Sequence, residues 1–260
     1  MASGIYVAMG GARMQEHRLE TLTNNLANAG TAGFKRHGTT FRQVHEDTAR
    51  MGDPNQAMGL HHPVRFLPED RLPGQLDERF TNWSEGPLKQ TGNSLDVAIQ
   101  GEGFLVVQSP TGPVYTRNGT LQMQADGGLV TQQGFAVLDP DGLPILLPPD
   151  AGRLTISPDG DMMVGEQAAG RLAVVRFDDL QQLERLGNDN YRPYDPATQV
   201  AQPIETPRLH QGYLEGSNVN PIETMALLIK TSRAFELNTR ALQAYKSMDD
   251  AAVQKVGRSG

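Results

Sequence analysis

Apolar residues near the start of the chain recur on a three-four alternation. Ile5, Ala8, Ala12, Leu19, Leu22 and Leu26 fall on one helical face, with Gln15 as the polar member of the series. No proline interrupts the run. Asn28-Ala29-Gly30 then supplies residues that tolerate left-handed backbone, which suits a helix stop. The pattern predicts a helix from about Ile5 to Ala27.

The periodicity then changes. Phe104-Leu105-Val106-Val107, Leu129-Val130-Thr131, Phe135-Ala136-Val137-Leu138 and Ile145-Leu146-Leu147 are apolar runs of strand length. Leu154-Thr155-Ile156, Met162-Met163-Val164 and Leu172-Ala173-Val174-Val175 continue the series. Turn clusters divide them: Ser109-Pro110-Thr111-Gly112, Ala125-Asp126-Gly127-Gly128 and Asp139-Pro140-Asp141-Gly142. Short strands without helical patterns between them predict an antiparallel all-β domain. Residues Arg36 to Ser84 are rich in Pro, Gly, Asp and His and read as a long irregular excursion with few strands.

A second helical texture closes the chain. Asn220-Pro221-Ile222-Glu223 offers an N-cap, a proline at the first helical position and an acid at the third. No Pro or Gly follows until after Val256. Met225, Leu228, Ser232, Phe235, Thr239, Leu242, Val253 and Val256 keep heptad spacing, broken by Lys246 and Asp249. Leu227, Ala234, Ala241, Tyr245, Met248 and Ala252 form a neighbouring stripe. At about 1.5 Å per residue the last helix is roughly 55 Å long and the first roughly 35 Å. The shorter helix cannot cover the longer one, and two adjacent apolar stripes imply more than one neighbour. Self-assembly is the simplest source of neighbours.

Composition narrows the function. The 260 residues carry 23 Lys and Arg against 30 Asp and Glu, a formal net charge of -7. There is no basic stripe of the kind that neutralises phosphates, so a nucleic-acid partner is not expected. Nor is there a polybasic membrane anchor or an apolar run near the roughly 18 residues that insertion in a bilayer requires. Cysteine is absent, which excludes disulfides, thiolate catalysis and Cys-based zinc sites. Met1-Ala2-Ser3-Gly4-Ile5-Tyr6 lacks a basic and then apolar leader, so export without a cleaved signal peptide is the expectation.

The residues mark no catalytic, cofactor or metal site. Gly101-Glu102-Gly103 is a fragment of a dinucleotide fingerprint, but no third glycine follows and a strand pattern comes next. Asp139-Pro140-Asp141-Gly142 and Pro158-Asp159-Gly160-Asp161 read as turns. Leu143 takes a position where a calcium loop needs a ligand. His17, His37, His45, His61, His62 and His210 show no metal-binding spacing with carboxylates. No nucleophile elbow marks a Ser-His-Asp arrangement. The competing reading is a secreted β-domain carbohydrate-binding protein or glycan hydrolase with helical extensions, since a β domain can hold two catalytic carboxylates anywhere.

Three ordered blocks carry a family resemblance. Asn24-Asn25-Leu26-Ala27-Asn28, with Thr31 and Gly33-Phe34-Lys35, forms the first. Thr91 to Phe104 (TGNSLDVAIQGEGF), continued by Tyr115-Thr116-Arg117-Asn118-Gly119, forms the second. Gln211-Gly212-Tyr213-Leu214-Glu215-Gly216-Ser217-Asn218-Val219-Asn220 forms the third. In these blocks the chain resembles the bacterial flagellar basal-body rod proteins, most of all the FlgF and FlgG types. The Ile5 to Met9 opening and the Phe135 to Pro148 stretch lean toward the FlgF, proximal-rod type. Phe235 stands where the family usually has Tyr, Pro221 enters a stretch more often aliphatic and acidic, and Lys246 to Asp250 matches the family's Asp-Glu element loosely.

The expectation is therefore an α+β protein. Residues 1–35 and 211–260 hold the two helices, paired as a coiled-coil-like domain. Residues 36–84 are the irregular excursion and 85–210 the central antiparallel all-β domain. The resemblance implies a structural role in the basal body, in the rod that crosses the periplasm. It implies contacts with copies of itself and other rod proteins, and passage through the flagellar type III export apparatus. The first-block amides read either as a helix end or as subunit contacts, and the resemblance favours contacts. The residues expected to mediate assembly are Leu19, Leu22, Asn24, Asn25, Leu26, Asn28, Phe34, Ser217, Asn218, Asn220, Met225, Leu228, Ile229, Phe235 and Leu242, with Phe34 as a buried plug.

Overall fold

A computed structural model of the chain describes residues 2–42, 75–148 and 154–256. Helix α1 spans Ala2–Ala27 and helix α2 spans Pro221–Val256. The last helix begins at the proline, whose fixed φ and missing N–H suit the first helical position. Between the helices the described structure is almost entirely antiparallel β, so the chain is α+β.

Two compact units emerge. The first holds residues 1–24, 37–80 and 222–260, and the second holds 25–36 and 81–221. In the first unit, β1 (His37–Arg42) pairs with β2 (Gln75–Thr81). The ends of the expected irregular excursion are thus a strand pair, while its interior lies outside the described residues.

The centre of the second unit is β5 (Phe104–Ser109). It pairs with β6 (Gly112–Thr116) across the Ser109-to-Gly112 turn, and with β9 (Ala136–Val137) and β13 (Val174–Arg176). Around it the sheet runs from β14 (Leu183–Gly187) and β15 (Asn190–Pro193) through β6, β5 and β9 to β8 (Leu129–Thr131) and β7 (Leu121–Met123). Buried Leu105, Val107, Val114, Leu121, Leu129 and Val137 share one core with Leu154, Ile156, Met162 and Val164 of the small sheet β10 (Leu154–Ile156), β11 (Asp161–Val164) and β12 (Gln167–Arg171). A second cluster packs Phe104, Phe177 and Tyr191 with Trp83 through edge and tilted ring contacts.

Two expectations are corrected. Ile145-Leu146-Leu147 is not a ladder strand. Ile145 and Leu147 are buried and Leu146 is exposed, and only single bridges tie this segment, Gly128 to Leu146 and Leu138 to Pro144. The run Leu172 to Val175 begins later as a strand, at Val174, because Leu172 and Ala173 donate their N–H groups outside any ladder, to Gly160 and Leu138.

In the first unit the most buried of the described side chains of α2 are not those of either apolar stripe. They are Thr224 and Thr231, each 4% exposed and seven positions apart. Leu227, Leu228, Ala234, Phe235, Ala241 and Leu242 flank that line half-buried, whereas Met225 and Ile229 lie on the exposed side. On α1, Ala8, Gly10 and Ala12 are buried, and the expected series Ile5, Leu19, Leu22 and Leu26 is half-buried. Gly11 faces α2 directly: a Cβ there would stand 3.2 Å from Asn238 Nδ2.

Candidate functional site: a buried ionic clasp

The three sequence blocks meet in the second unit. Gly33-Phe34-Lys35-Arg36 follows the turn after α1, and Glu215 to Asn218 precedes α2. These two segments lie side by side, so the places where the chain enters and leaves the β unit are adjacent. Gly33 N donates to Glu215 O at 2.8 Å, and Arg36 N donates to Asn218 Oδ1 at 2.7 Å. Asn218 Nδ2 donates to the carbonyls of Asn82 and Ser84 at 2.8 and 3.0 Å, which fastens the re-entering segment to the same place.

At the centre is a carboxylate between two cations. Glu215 Oε1 accepts from Lys35 Nζ at 2.7 Å and from Gly86 N at 2.9 Å, while Oε2 accepts from Arg117 Nε at 2.7 Å. Lys35 also donates to Ser84 O at 2.8 Å. The Arg117 guanidinium also donates to the carbonyls of Gly103, Gly101 and Ile99. Gly101 and Gly103 both have positive φ, which turns their carbonyls inward. The fragment resembling a dinucleotide fingerprint is therefore an internal cradle for an arginine side chain.

Charge decides how each group behaves. Burial pushes the Glu215 carboxyl up, but the charges of Arg117 and Lys35, with the hydrogen bonds from Lys35 and Gly86, outweigh it and hold it below its ordinary value. Lys35 is pushed the other way from a lysine in a simple ion pair. Burial and the neighbouring Arg117 charge lower it, and the carboxylate of Glu215, helped by that of Glu85, offsets them only in part. One anion for two buried cations leaves the cluster with excess positive charge.

Glycines make the approach possible. A Cβ on Gly33, whose φ is 73°, would stand 2.6 Å from Arg117 C and Asn118 N, and a Cβ on Gly86 would stand 1.8 Å from Gly216 O. Phe34 is fully buried, with the Arg185 guanidinium 4.4 Å over its ring. Thr91 and Gly92 donate to Gly212 O, and Gly212 donates to Asp96 O, which joins the second block to the third.

The expected assembly residues divide accordingly. Phe34, Ser217 and Asn218 belong to the clasp, and Ser217 Oγ accepts from Val219 N just before α2. Asn25 is buried, Asn28 half-buried and bonded to Thr31, and Asn24 and Asn220 are exposed. Leu19 and Leu22 lie on α1. Met225, Leu228, Ile229, Phe235 and Leu242 lie along α2. Sequence reading did not single out Lys35, Arg117 or Glu215 as a unit, and their only signal was membership of the three blocks. Among the described residues no group of three or more His, Asp or Glu is placed to hold a metal ion, and no helix is long and apolar enough to cross a membrane.

Comparison with known proteins places the same segments in one family. Residues 5–35 match the flagella basal body rod protein family, 98–164 the flagellar hook protein FlgE/F/G D1 domain, and 210–255 the flagellar basal body rod FlgEFG protein C-terminal family. The chain is 32% identical to the flagellar basal-body rod protein FlgF of Caulobacter vibrioides, over 99% of both chains. It is 32% identical to FlgF of Rhizobium meliloti over 100% of both, and 32% identical to FlgG of Buchnera aphidicola subsp. Schizaphis graminum over 95% of this chain and 97% of that one. With the N-terminal, central and C-terminal segments all matched, this chain belongs to the flagellar basal-body rod protein family and is a structural subunit of the rod.

Proposed function

We propose that α1 and α2 pair as a coiled-coil-like axial domain, formed from residues 1–35 and 211–260, that polymerises with copies of the chain and with other rod proteins. The β unit serves as a body already closed on itself by the clasp. The observation that carries this reading is the outer side of α2, where Ile222 is 81% exposed, Ile229 54% and Leu237 65% in the single chain. Isolated exposed apolar residues are ordinary, but a row of them along a 36-residue helix is not. At about 25 cal/mol per Å² of apolar surface, covering such side chains with neighbouring subunits is a substantial driving force for assembly.

The expected contacts Leu19, Leu22, Asn24, Asn25, Leu26, Asn28, Asn220, Met225, Leu228, Ile229, Phe235 and Leu242 then act in the helical domain. Phe34, Ser217 and Asn218 act by holding the helix-bearing ends of the β unit together. Delivery is through the flagellar type III export apparatus to the rod across the periplasm. The protein works by assembly and catalyses nothing. The matched families and relatives are rod and hook proteins, which leaves the carbohydrate-binding or hydrolase reading without support.

The test is incorporation. Full-length Ile222→Asp/Leu237→Asp, expressed in cells lacking the native copy, should fold and be exported yet be missing from isolated basal bodies, with motility lost. Normal motility in that variant would remove the outer row from the assembly interface.

A further inference from the structure

We propose that Asn238 and Gly11 form a register lock between the two terminal helices, a key-and-notch pair that fixes how far α2 sits along α1. The proposal rests on the assembly reading above and deepens it, because the lock decides where every outward residue is presented.

The geometry begins with the notch. Gly11 lacks a side chain between buried Ala8 and Ala12 on the same face of α1. The three nearest atoms to a Cβ placed there all belong to one amide: Asn238 Nδ2 at 3.2 Å, Oδ1 at 3.3 Å and Cγ at 3.4 Å. The Asn238 amide therefore lies against bare α1 backbone, closer than an alanine would comfortably permit.

The key continues a line. Thr224, Thr231 and Asn238 recur every seven residues, so they stand on one strip of α2, and the first two are the most buried of its described side chains. The strip is polar, whereas its flanks at Leu227, Leu228, Phe235 and Leu242 are apolar. Apolar flanks alone pack nearly as well after sliding by a turn. A polar strip does not, as a single polar residue in a coiled-coil seam selects one register at some cost in stability. A one-turn slip would bring Phe235 or Leu242 over Gly11 and move Asn238 onto Ala8 or Gln15. That replaces a fitted amide by a bulky side chain and removes the notch from beneath the amide.

The consequence is positional. One turn is about 5.4 Å of axial shift, and it would displace Ile222, Ile229 and Leu237 together relative to α1. Neighbouring subunits would then meet the wrong apolar residues. Asn238 and Gly11 are thus positioning residues for assembly, with no direct contact to a partner required of them.

The absence of cysteine from the chain permits a clean test. In full-length protein that keeps both Gly11 and Asn238, Gln15→Cys is combined in turn with Leu228→Cys, Phe235→Cys or Leu242→Cys, and disulfide formation is followed under mild oxidation with Asn238 present and in the Asn238→Leu background. One pairing should close faster than the other two by roughly tenfold, as expected where one register dominates, and that preference should fall away in the Asn238→Leu background. Equal rates for all three would overturn the lock. Independently, Asn238→Leu leaves Gly11 intact and should preserve or increase helix content by circular dichroism, while incorporation into basal bodies falls roughly tenfold as register is lost. Wild-type incorporation of Asn238→Leu would also overturn it. If instead Ile222→Asp/Leu237→Asp assembles normally while the cross-links remain register-specific, the lock stands and the assembly reading fails.

Discussion

Lys35 and Glu215 lie 180 positions apart in the chain and 2.7 Å apart in space, each with 1% of its side chain exposed. The contact joins the segment that follows α1 to the segment that precedes α2. A salt bridge on the surface would contribute little. This one is buried, and its carboxylate also holds Arg117, so its importance lies in what happens when a member is missing.

Removal should be asymmetric. Glu215→Ala strands two buried cations and should cost about 3–5 kcal/mol. Lys35→Met should cost less, because the carboxylate keeps Arg117 and Gly86 as donors and the excess positive charge disappears. Urea unfolding of the two variants measures the order. A Lys35→Met loss equal to that of Glu215→Ala would contradict the charge balance described above.

The clasp should also shape the acid limb of stability. The folded Glu215 carboxyl is held below its ordinary value of 4.5, so on acidification the unfolded chain takes up the proton first. Its stabilising contribution is complete above pH 4.5 and is lost as the pH falls through the depressed folded value. Lys35 acts in the opposite range. Its folded value lies below 10.5, so between the two values the unfolded chain holds more protons and stability from this group rises with pH. Unfolding free energies measured for wild type and Glu215→Gln should show a shallower acid slope in the variant. Parallel slopes would mean that Glu215 is not the linked group.

Two glycine substitutions separate backbone strain from collision. Gly33 and Gly134 have similar positive φ, 73° and 82°. Nothing lies within 4 Å of a Cβ on Gly134, whereas one on Gly33 meets Arg117 and Asn118 backbone at 2.6 Å. Gly134→Ala should therefore cost about 1–2 kcal/mol from left-handed strain alone, and Gly33→Ala distinctly more. Melting temperatures of the pair decide it, and equal losses would show that the segment yields to the added methyl.

Periodicity exposed what is local. The Asn220-Pro221 signal placed the start of α2, and Ala27 closed α1 where the apolar series ended. Periodicity misled where packing reversed the usual sign. Thr224, Thr231 and Asn238 fall between two apolar stripes and carry no hydrophobic signal, yet Thr224 and Thr231 are buried and Asn238 half-buried, its amide lying where a Cβ on Gly11 would meet it. Lys35, Arg117 and Glu215 were hidden for another reason. Charged residues read as solvated unless their partners are known, and these partners are brought together only by tertiary folding. Strand β4 (Val97–Gln100) was similarly faint. It has four residues, three of them buried, and its partner β17 (Arg208–Gln211) lies more than a hundred positions away.

Neighbouring positions on α2 offer the sharpest contrast between folding and assembly. Ile229 is exposed and Thr231 is buried, although only two residues separate them. Ile229→Asp should alter unfolding of the dilute full-length chain by no more than about 0.5 kcal/mol, as for most surface substitutions. In cells lacking the native copy, however, the same change puts a charge where a neighbour must bury it, so the subunit should be missing from basal bodies. Thr231→Asp should do the reverse in order: it places a charge at a position already buried within one chain, so helix content falls before assembly is reached. Circular dichroism of the monomers and subunit content of isolated basal bodies read the two effects separately. Loss of monomer helix in Ile229→Asp, with none in Thr231→Asp, would place the outward and inward faces of α2 the wrong way round.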